Sequence, residues 1–281
     1  MVRQFNLLNE KDEKFSLMNM QEYCLLTSPA GLGYSYSTSY EQLANLFVQN
    51  IRTLEQGKIE GIVNFLTYEN FWNFVNYIEN AESLRLEYII PFNDDTKTFY
   101  RDVQISNLSK TEKTLNGVIS ESITFNCTGL WYQEAITEYG FGDQDIVWDF
   151  RWDPFFADYT ERTIEFENDG HTEAPFQVSM TGNIIKPKIS VIQNNQVINS
   201  IAFPFTLLAG ETLQYSSKEN ELYIRKIGTD GTITNLFNSS YIDINNTNIF
   251  TLPKGTSILS VSAENDIYYG NVDIYKRYKI V

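Results

Sequence analysis

Histidine and cysteine are nearly absent from this chain of 281 residues. His171 is the single histidine, and it lies in the turn-like stretch "NDGHTEAP", without a GxSxG motif to present a nucleophilic serine. Cys24 and Cys127 are the only cysteines, and each lies in an apolar stretch without CxxC spacing. The sequence therefore predicts two buried free thiols, no histidine-based catalysis, no metal site and no bound cofactor.

Long apolar runs and an excess of basic charge are also lacking. No stretch approaches the roughly 18 apolar residues of a membrane helix, and the N-terminus has no basic segment leading into an apolar one, so we expect a soluble, unprocessed chain. With 36 acidic and 21 basic residues, the net charge of -15 opposes binding to phosphate backbones and anionic membranes. Residues 1–134 carry 17 acidic and 10 basic side chains and residues 135–281 carry 19 and 11, so the acidity extends over the whole chain.

Acidic side chains occur in groups, but no group has the spacing of a known catalytic or metal site. The segment "GFGDQDIVWDFRWDP" carries four aspartates, Asp143, Asp145, Asp149 and Asp153. It lacks the other ligands and the glycine of an EF-hand loop, and its "GFGDQD" has neither GxGxxG nor a P-loop lysine, so a solvated linker is predicted. Asp94 and Asp95 share a polar turn, where adjacent side chains diverge and cannot flank a glycosidic bond. No enzyme is predicted, although a glycoside hydrolase whose carboxylates meet only in the folded chain stays open.

Aromatic residues are abundant, with 19 Phe, 18 Tyr and 4 Trp. Most alternate with polar residues as core positions of β-strands do, which favours packing over sugar-stacking platforms. The length suits two domains that each bury a core of their own. Strand patterns dominate both halves, so the predicted fold class is mostly β.

The N-terminal half is predicted to mix strands with one helix. "RQFNLL" and "KFSLMN" flank a polar turn, and "SPAGLGYSYS" is a shaped loop because of Pro29, Gly31 and Gly33. The following segment, residues 40–66, fits helical spacing in part, yet we favour two strands turning at Gly57. A helix is predicted near residues 67–81, capped by Thr67. Its predicted apolar stripe consists of Phe71, Trp72, Phe74, Val75 and Ile78.

The stretch "SESITFNCTGLWYQEA" marks a change of domain. Period-two alternation ends abruptly in Gly129, Leu130, Trp131 and Tyr132. Large rings at a strand end predict a junction, with Trp131 buried there, an N-terminal domain of residues 1–138 and a C-terminal domain of residues 139–281. Beyond residue 135, eight short alternating segments separated by Gly, Asn, Asp or Pro predict a β-sandwich, with a hairpin turn at Asp230 and Gly231.

Four segments in order resemble the distal tail protein (Dit) of long, non-contractile-tailed bacteriophages, a family of siphophage baseplate hubs. They are "SPAGLGYSYSTSYEQL", "LRLEYIIP" after the helix, "FYRDVQISNLSKTEKTLNGVISESITFNCTGLWYQE" and "TIEFENDGHTEAPFQVSMTG". The resemblance implies an N-terminal domain that forms a hexameric ring head to tail, followed by a galectin-like β-sandwich. It implies a structural virion protein at the tail tip, made in the host cytoplasm from a phage or prophage genome.

The resemblance also implies partners. The ring would join the tail tube protein to a tail-associated lysin or fibre hub, and to a receptor-binding protein or other baseplate components, for host adsorption. DNA would pass through without being bound, since six copies would carry a charge of about -90 and oppose counterion release. The C-terminal half has no spare length for an inserted carbohydrate-binding module. A saccharide-binding module that contacts a host cell-wall polymer remains the alternative function.

Overall fold

The structure of the protein is a computed structural model, and it describes residues 3–92, 95–112, 117–137, 160–237, 248–265, 267 and 269–281. The chain forms two compact units, one of Met1–Gln133 with Tyr278–Val281 and one of Glu134–Arg277. The predicted domains, residues 1–138 and 139–281, stay a prediction; the compact units divide the chain after Gln133 and place Tyr278–Val281 with the first unit. Residues 278–281 belong to the first unit because the Tyr278 ring packs edge-on against Phe99 and the Tyr278 hydroxyl donates to Gln133 Oε1 at 3.0 Å.

The described part of the first unit contains ten strands and one helix. They are β1 (Gln4–Asn9), β2 (Lys14–Ser16), β3 (Leu25–Ala30), β4 (Tyr36–Leu43), β5 (Leu46–Leu54), β6 (Lys58–Phe65), α1 (Tyr68–Glu79), β7 (Leu84–Phe92), β8 (Asp95–Leu108), β9 (Ile119–Cys127) and β10 (Trp131–Thr137), which continues into the second unit. Antiparallel pairing joins β2, β1, β7, β8, β9, β6 and β3 in that order. Strand β10 pairs with β8 through Tyr132 and Tyr100. Strands β4 and β5 pair with each other as a separate ribbon.

Helix α1 confirms the sequence prediction in its position and in its cap. The Thr67 side chain accepts a hydrogen bond from the Asn70 amide at 3.0 Å, which satisfies one free N–H of the first turn. Phe71 and Phe74 are buried, whereas Trp72 is 58% exposed. The predicted stripe was therefore wrong at Trp72, because one residue along a helix turns the side chain about 100° away from the Phe71 direction.

The core of the first unit joins the helix to one side of its sheet. It contains apolar side chains from β1, β2, β3, β6, α1, β7, β8, β9 and β10, among them Phe5, Leu7, Val63, Phe65, Phe74, Leu86, Ile123, Phe125 and Trp131. The alternation read in residues 119–127 is present, since alternate residues of β9 from Ile119 to Cys127 are buried. Cys24 and Cys127 are both free and buried, as predicted.

The second unit is a β-sandwich. Its strands are β11 (Glu161–Asn168), β12 (Phe176–Thr181), β13 (Ile184–Ile185), β14 (Lys188–Gln193), β15 (Gln196–Ala202), β16 (Thr206–Leu207), β17 (Thr212–Ser216), β18 (Tyr223–Ile227), β19 (Ile233–Asn235), β20 (Gly255–Ser262) and β21 (Tyr269–Tyr278). One sheet has the order β19, β18, β17, β12, β21 and the other β11, β20, β14, β15. Both contribute to one core, which includes Phe176, Val178, Tyr215, Leu259 and Val261.

The strand predictions for this unit are confirmed, including the turn with Gly231 at φ +81° between β18 and β19. The fold class is mostly β, as predicted; the galectin-like resemblance of the sandwich stays a prediction. Asp143, Asp145, Asp149, Asp153 and the "GFGDQD" segment lie outside the described residues.

Candidate assembly surface

The ribbon of β4 and β5, residues 36–54, is the most exposed apolar feature of the first unit, and we call it the arm. Every residue of β5 is exposed, and so is β4 from Ser39 to Leu43. The exposed apolar side chains, with their exposed fractions, are Tyr40 61%, Leu43 55%, Leu46 71%, Phe47 68%, Val48 47%, Ile51 60% and Leu54 38%. In a protein of net charge -15, the arm contains one acidic and one basic residue.

The pairing register places apolar side chains on both faces of the arm. Residues directly opposite each other in an antiparallel pair project to the same face, and successive residues alternate. The pairs are Leu43 with Leu46, Gln42 with Phe47, Glu41 with Val48, Tyr40 with Gln49 and Ser39 with Ile51. One face is thus aliphatic, with Leu43, Leu46, Val48 and Ile51, and the other carries Tyr40 and Phe47. Contiguous exposed apolar surface of this kind marks an interaction site.

The tip of the arm shows why the sequence prediction for residues 40–66 was wrong. The arm turns at Ala44 and Asn45, with Ala44 at φ +55°, so the segment forms parts of three strands instead of two. Gly57 follows the arm and makes no hairpin turn. Its Cα faces the Arg101 guanidinium, and a Cβ there would lie 2.1 Å from Arg101 Nη2.

Polar contacts hold the root of the arm, where its strands leave the sheet. Ser35 Oγ donates to Glu55 Oε2 at 2.7 Å, and the Glu55 amide donates to the Ser35 carbonyl at 3.0 Å. The Arg52 guanidinium lies 3.8 Å from the centre of the Tyr36 ring, and Lys279 Nζ donates to the Tyr36 hydroxyl at 2.7 Å. The Lys279 ammonium also lowers the pKa of Tyr36. The arm therefore has a fixed root and an exposed apolar tip.

Pro29, Gly31 and Gly33 lie in the segment that leads into the arm. Strand β3 has a bulge between Thr27 and Ala30 that includes Pro29. Gly31 has φ +82°, and a Cβ would lie 1.9 Å from the Lys58 carbonyl oxygen, so only glycine fits there. Gly33 is less constrained, because a Cβ would meet Ile280 at an ordinary 3.6 Å.

Trp131 holds this same segment from the other side. Its indole is fully buried in the core of the first unit, and Nε1 donates to the Leu32 carbonyl at 2.9 Å. The structure thus brings together the predicted loop and the predicted aromatic residue at the root of the arm. The strand that ends at Trp131 and the loop that contains Leu32 each have a local sequence pattern, so each could be predicted by itself. The contact between Trp131 and Leu32 has no such pattern and was not predicted.

The neighbours of Trp131 in sequence have distinct environments. The Gly129 carbonyl accepts from Arg101 Nε at 2.9 Å, and the Arg101 guanidinium lies 5.5 Å from the Trp131 ring centre. Tyr132 is buried, and its hydroxyl donates to Asp102 Oδ1 at 3.0 Å. Burial, reinforced by Asp102, raises the pKa of Tyr132. Leu130 is half-buried.

Chemistry-bearing clusters are scarce in the described part of the chain. No group of three or more His, Cys, Asp or Glu side chains there could hold a metal ion. The helix found in the described ranges is neither long nor apolar enough to cross a membrane. His171 is exposed in a turn, with its amide donating to the Arg277 carbonyl at 2.7 Å.

Comparison with protein families finds a match within the first unit. Residues 4–128 match the family described as "Distal tail protein, N-terminal domain". Over these residues the first unit is similar to this family. The distal tail match includes β1 to β9, the whole arm and the Gly31 loop. A sequence comparison with curated proteins gives no match.

Solved structures extend the likeness to the full length of the chain. A chain of "Structure of the Phage P2 Baseplate in its Activated Conformation with Ca" is 19% identical, with a TM-score of 0.67 and 100% of both chains covered. A chain of "Crystal Structure of SPP1 Dit (gp 19.1) Protein, a Paradigm of Hub Adsorption Apparatus in Gram-positive Infecting Phages" is 11% identical, with a TM-score of 0.56 and coverage of 97% of this chain and 98% of that one. At these identities the likeness establishes the fold.

Proposed function

We propose that the protein is a structural component of a phage tail tip that assembles, through its first unit, into a ring. The ring would be hexameric and would join the tail tube to baseplate or fibre proteins for host adsorption. Its partners would be further copies of itself, the tail tube protein, a tail-associated lysin or fibre hub, and receptor-binding or other baseplate components. DNA would pass through the ring unbound. The location would be the virion tail tip, after synthesis in the host cytoplasm.

The observation that carries this proposal is the two-faced apolar arm. Burying apolar surface stabilises by roughly 25 cal/mol per Å², so seven large exposed side chains on one ribbon strongly favour a covered state. An isolated two-stranded ribbon is marginally stable in water, and a second surface would stabilise it. When an arm on one copy meets a different surface on the next copy, the contact is head to tail and closes into a ring if its rotation permits.

The role is a mechanical one and requires no catalytic group. Support comes from the distal tail family match of the first unit and from the baseplate fold of the whole chain. The fixed root fits the same role, because an arm that transmits force between copies must be anchored to its own core. Trp131, Lys279 and Glu55 provide this anchor.

The test is the mass of the protein in solution, measured by light scattering and negative-stain imaging. The unaltered chain should form rings at high concentration. A double variant, Leu46→Ser with Phe47→Ser, should remain monomeric and folded, because it removes apolar area from both faces of the arm tip. Val197→Ser is the matched control, since Val197 is 58% exposed on a strand of the second unit.

Two outcomes would contradict the proposal. One is an unaltered chain that stays monomeric at every accessible concentration. The other is a double variant that forms rings as readily as the Val197→Ser control, which would place the ring contact elsewhere.

A further inference from the structure

The β-sandwich has one strand edge without the usual protections against further pairing. Strand β15 lies at the end of the sheet β11, β20, β14, β15, and within the described residues it pairs with β14 alone. A strand at such an edge presents unpaired N–H and C=O groups, which proteins usually shield with charged side chains, proline or a very short strand. A further strand can add to an edge that lacks these devices.

The other edge strands of the described sandwich differ from β15 in this respect. Strand β11 has exposed carboxylates at Glu161, Glu165 and Glu167, and β19 is three residues long. Strand β15 is seven residues long, and no charged residue occurs in residues 189–210. In a chain with 36 acidic and 21 basic residues, charge protects the β11 edge and leaves the β15 edge open.

An apolar row on the outer face of this sheet ends at the same edge. The register aligns Ile258 of β20, Ile192 of β14 and Val197 of β15. The two isoleucines are half-buried, whereas Val197 is 58% exposed. An apolar side chain on an added strand would continue the row and cover Val197.

A bulge shapes this edge without closing it. The register shifts between Val191 and Ile192, so Ile198 has no partner on β14, and its side chain is 42% exposed. Residues 199–202 pair regularly with residues 188–191. An added strand therefore has a regular segment to pair with and two exposed apolar side chains to cover.

Two lysines beside the edge indicate the charge of its partner. Lys188 lies directly opposite Ala202, at one end of β15. At the other end, where Gln193 pairs with Gln196, the Lys254 carbonyl accepts a hydrogen bond from Gln193 Nε2 at 2.9 Å. Among the described residues neither lysine has an acidic partner, so a free positive charge is present near each end of an otherwise uncharged edge.

We propose that the β15 edge binds an extended segment of another protein as an added strand, and that this segment has alternating apolar residues between two acidic ends. Main-chain hydrogen bonds to β15 hold the segment, its apolar side chains cover Val197 and Ile198, and its carboxylates lie near Lys188 and Lys254. A second copy of the chain is disfavoured, because its own β15 would bring the same two lysines against those already there. The site lies within the second unit and does not depend on the ring.

The probe is a nine-residue peptide of alternating threonine and valine with a glutamate at each end, titrated into the full chain and followed by calorimetry. It should bind saturably. A peptide with a lysine at each end should bind roughly threefold more weakly, because at 0.15 M salt only charges within about 8 Å act strongly on the peptide ends. The net charge of the chain alone would give the opposite order.

Two variants place the same added charge on opposite edges of one sheet. Val197→Glu should weaken binding of the glutamate-ended peptide by about tenfold or more, since it replaces the apolar contact with a negative charge. Thr163→Glu is the matched control, because Thr163 is exposed on β11, and this variant should bind unchanged. Both variants should melt at the temperature of the unaltered chain, because both positions are exposed.

Hydrogen exchange tests the same contact without a substitution. Adding the glutamate-ended peptide to the unaltered chain should slow the exchange of amides in β15 and leave those in β11 unchanged. Four results would overturn the proposal: no saturable binding, equal binding by Val197→Glu and Thr163→Glu, tighter binding of the lysine-ended peptide, or a lower mass of Val197→Glu in solution. The last result would assign the edge to a second copy of the chain.

Discussion

At the residue scale, Trp131 has the most consequential position in the first unit. Its ring lies 5.8 Å from that of Tyr88, its N–H satisfies the Leu32 carbonyl, and Arg101 lies over its face. The sequence indicated its burial correctly, since rings that end an alternating strand seldom face solvent. The Leu32 contact, across 99 positions of sequence, had no local signal.

Replacing Trp131 with alanine should destabilise the first unit by about 3 to 5 kcal/mol, because it leaves a large cavity and an unpaired carbonyl. Denaturant unfolding measures the change. Trp72→Ala is the control; since Trp72 is 58% exposed, the same truncation should change the stability of the monomer by less than about 1 kcal/mol. Equal effects of the two variants would refute the assignment of Trp131 to the core.

Tyr77 gives the first unit a dependence on alkaline pH. Burial, with Glu13 and Glu10 nearby, raises the pKa of Tyr77 from 10.0 to about 12. The hydroxyl lies 2.7 Å from the Glu13 carbonyl, to which it donates. Because the folded pKa exceeds the unfolded one, this stabilisation is fully present below pH 10 and is lost as pH rises towards 12.

The Tyr77→Phe variant should therefore be less stable than the unaltered chain by about 1 kcal/mol at neutral pH, through loss of one hydrogen bond. The difference in unfolding free energy between the two chains should shrink between pH 10 and about 12. In this range ionisation of Tyr77 destabilises the folded state of the unaltered chain, whereas the phenylalanine variant has no group to ionise there. Urea unfolding at a series of pH values measures the difference. A deficit that stays constant over this range would show that Tyr77 ionises equally easily in both states.

At the scale of elements, the sequence predicted helices and strands correctly where apolar side chains lie on one face of the element and polar side chains on the other. Helix α1 has its cap at Thr67 and buried residues at Phe71 and Phe74, and β9 alternates along its length. The strands of the arm were predicted wrongly for a physical reason. Its apolar residues are on both faces, so no period-two pattern exists, and the spacing of Leu43, Leu46, Phe47 and Ile51 imitates a helix.

The segment that leads into the arm allows a paired glycine test. Gly31→Ala should cost about 1 to 3 kcal/mol, because it forces a Cβ at φ +82° against the Lys58 carbonyl. Gly33→Ala, two positions on, should be tolerated, since the added Cβ meets Ile280 at 3.6 Å. Thermal unfolding of both variants measures the contrast. Comparable losses would mean that flexibility of the loop, and not its geometry at Gly31, limits stability.

At the scale of the whole molecule, the C-terminal residues of the sequence pack in the same unit as its N-terminal residues. The last four residues, 278–281, join the first unit, and Lys279 reaches Tyr36 at the arm root. Reading the sequence in order could not reveal this, because strand patterning near the C-terminus indicates a strand without indicating the sheet that receives it. A fragment ending near residue 139 would therefore lack part of the arm root.

The net charge of -15 on the chain and the absence of net charge on the arm together predict how assembly depends on salt. Copies of an acidic protein repel one another, and this repulsion has a range of about 10 Å at 0.1 M salt and about 3 Å at 1 M. Burial of an apolar arm is not weakened by added salt, and sulfate strengthens it. Raising the salt concentration should therefore increase the fraction of rings, measured as mass in solution, while the Leu46→Ser, Phe47→Ser variant stays monomeric throughout. If high salt dissociated the rings instead, ion pairs and not the arm would hold the copies together.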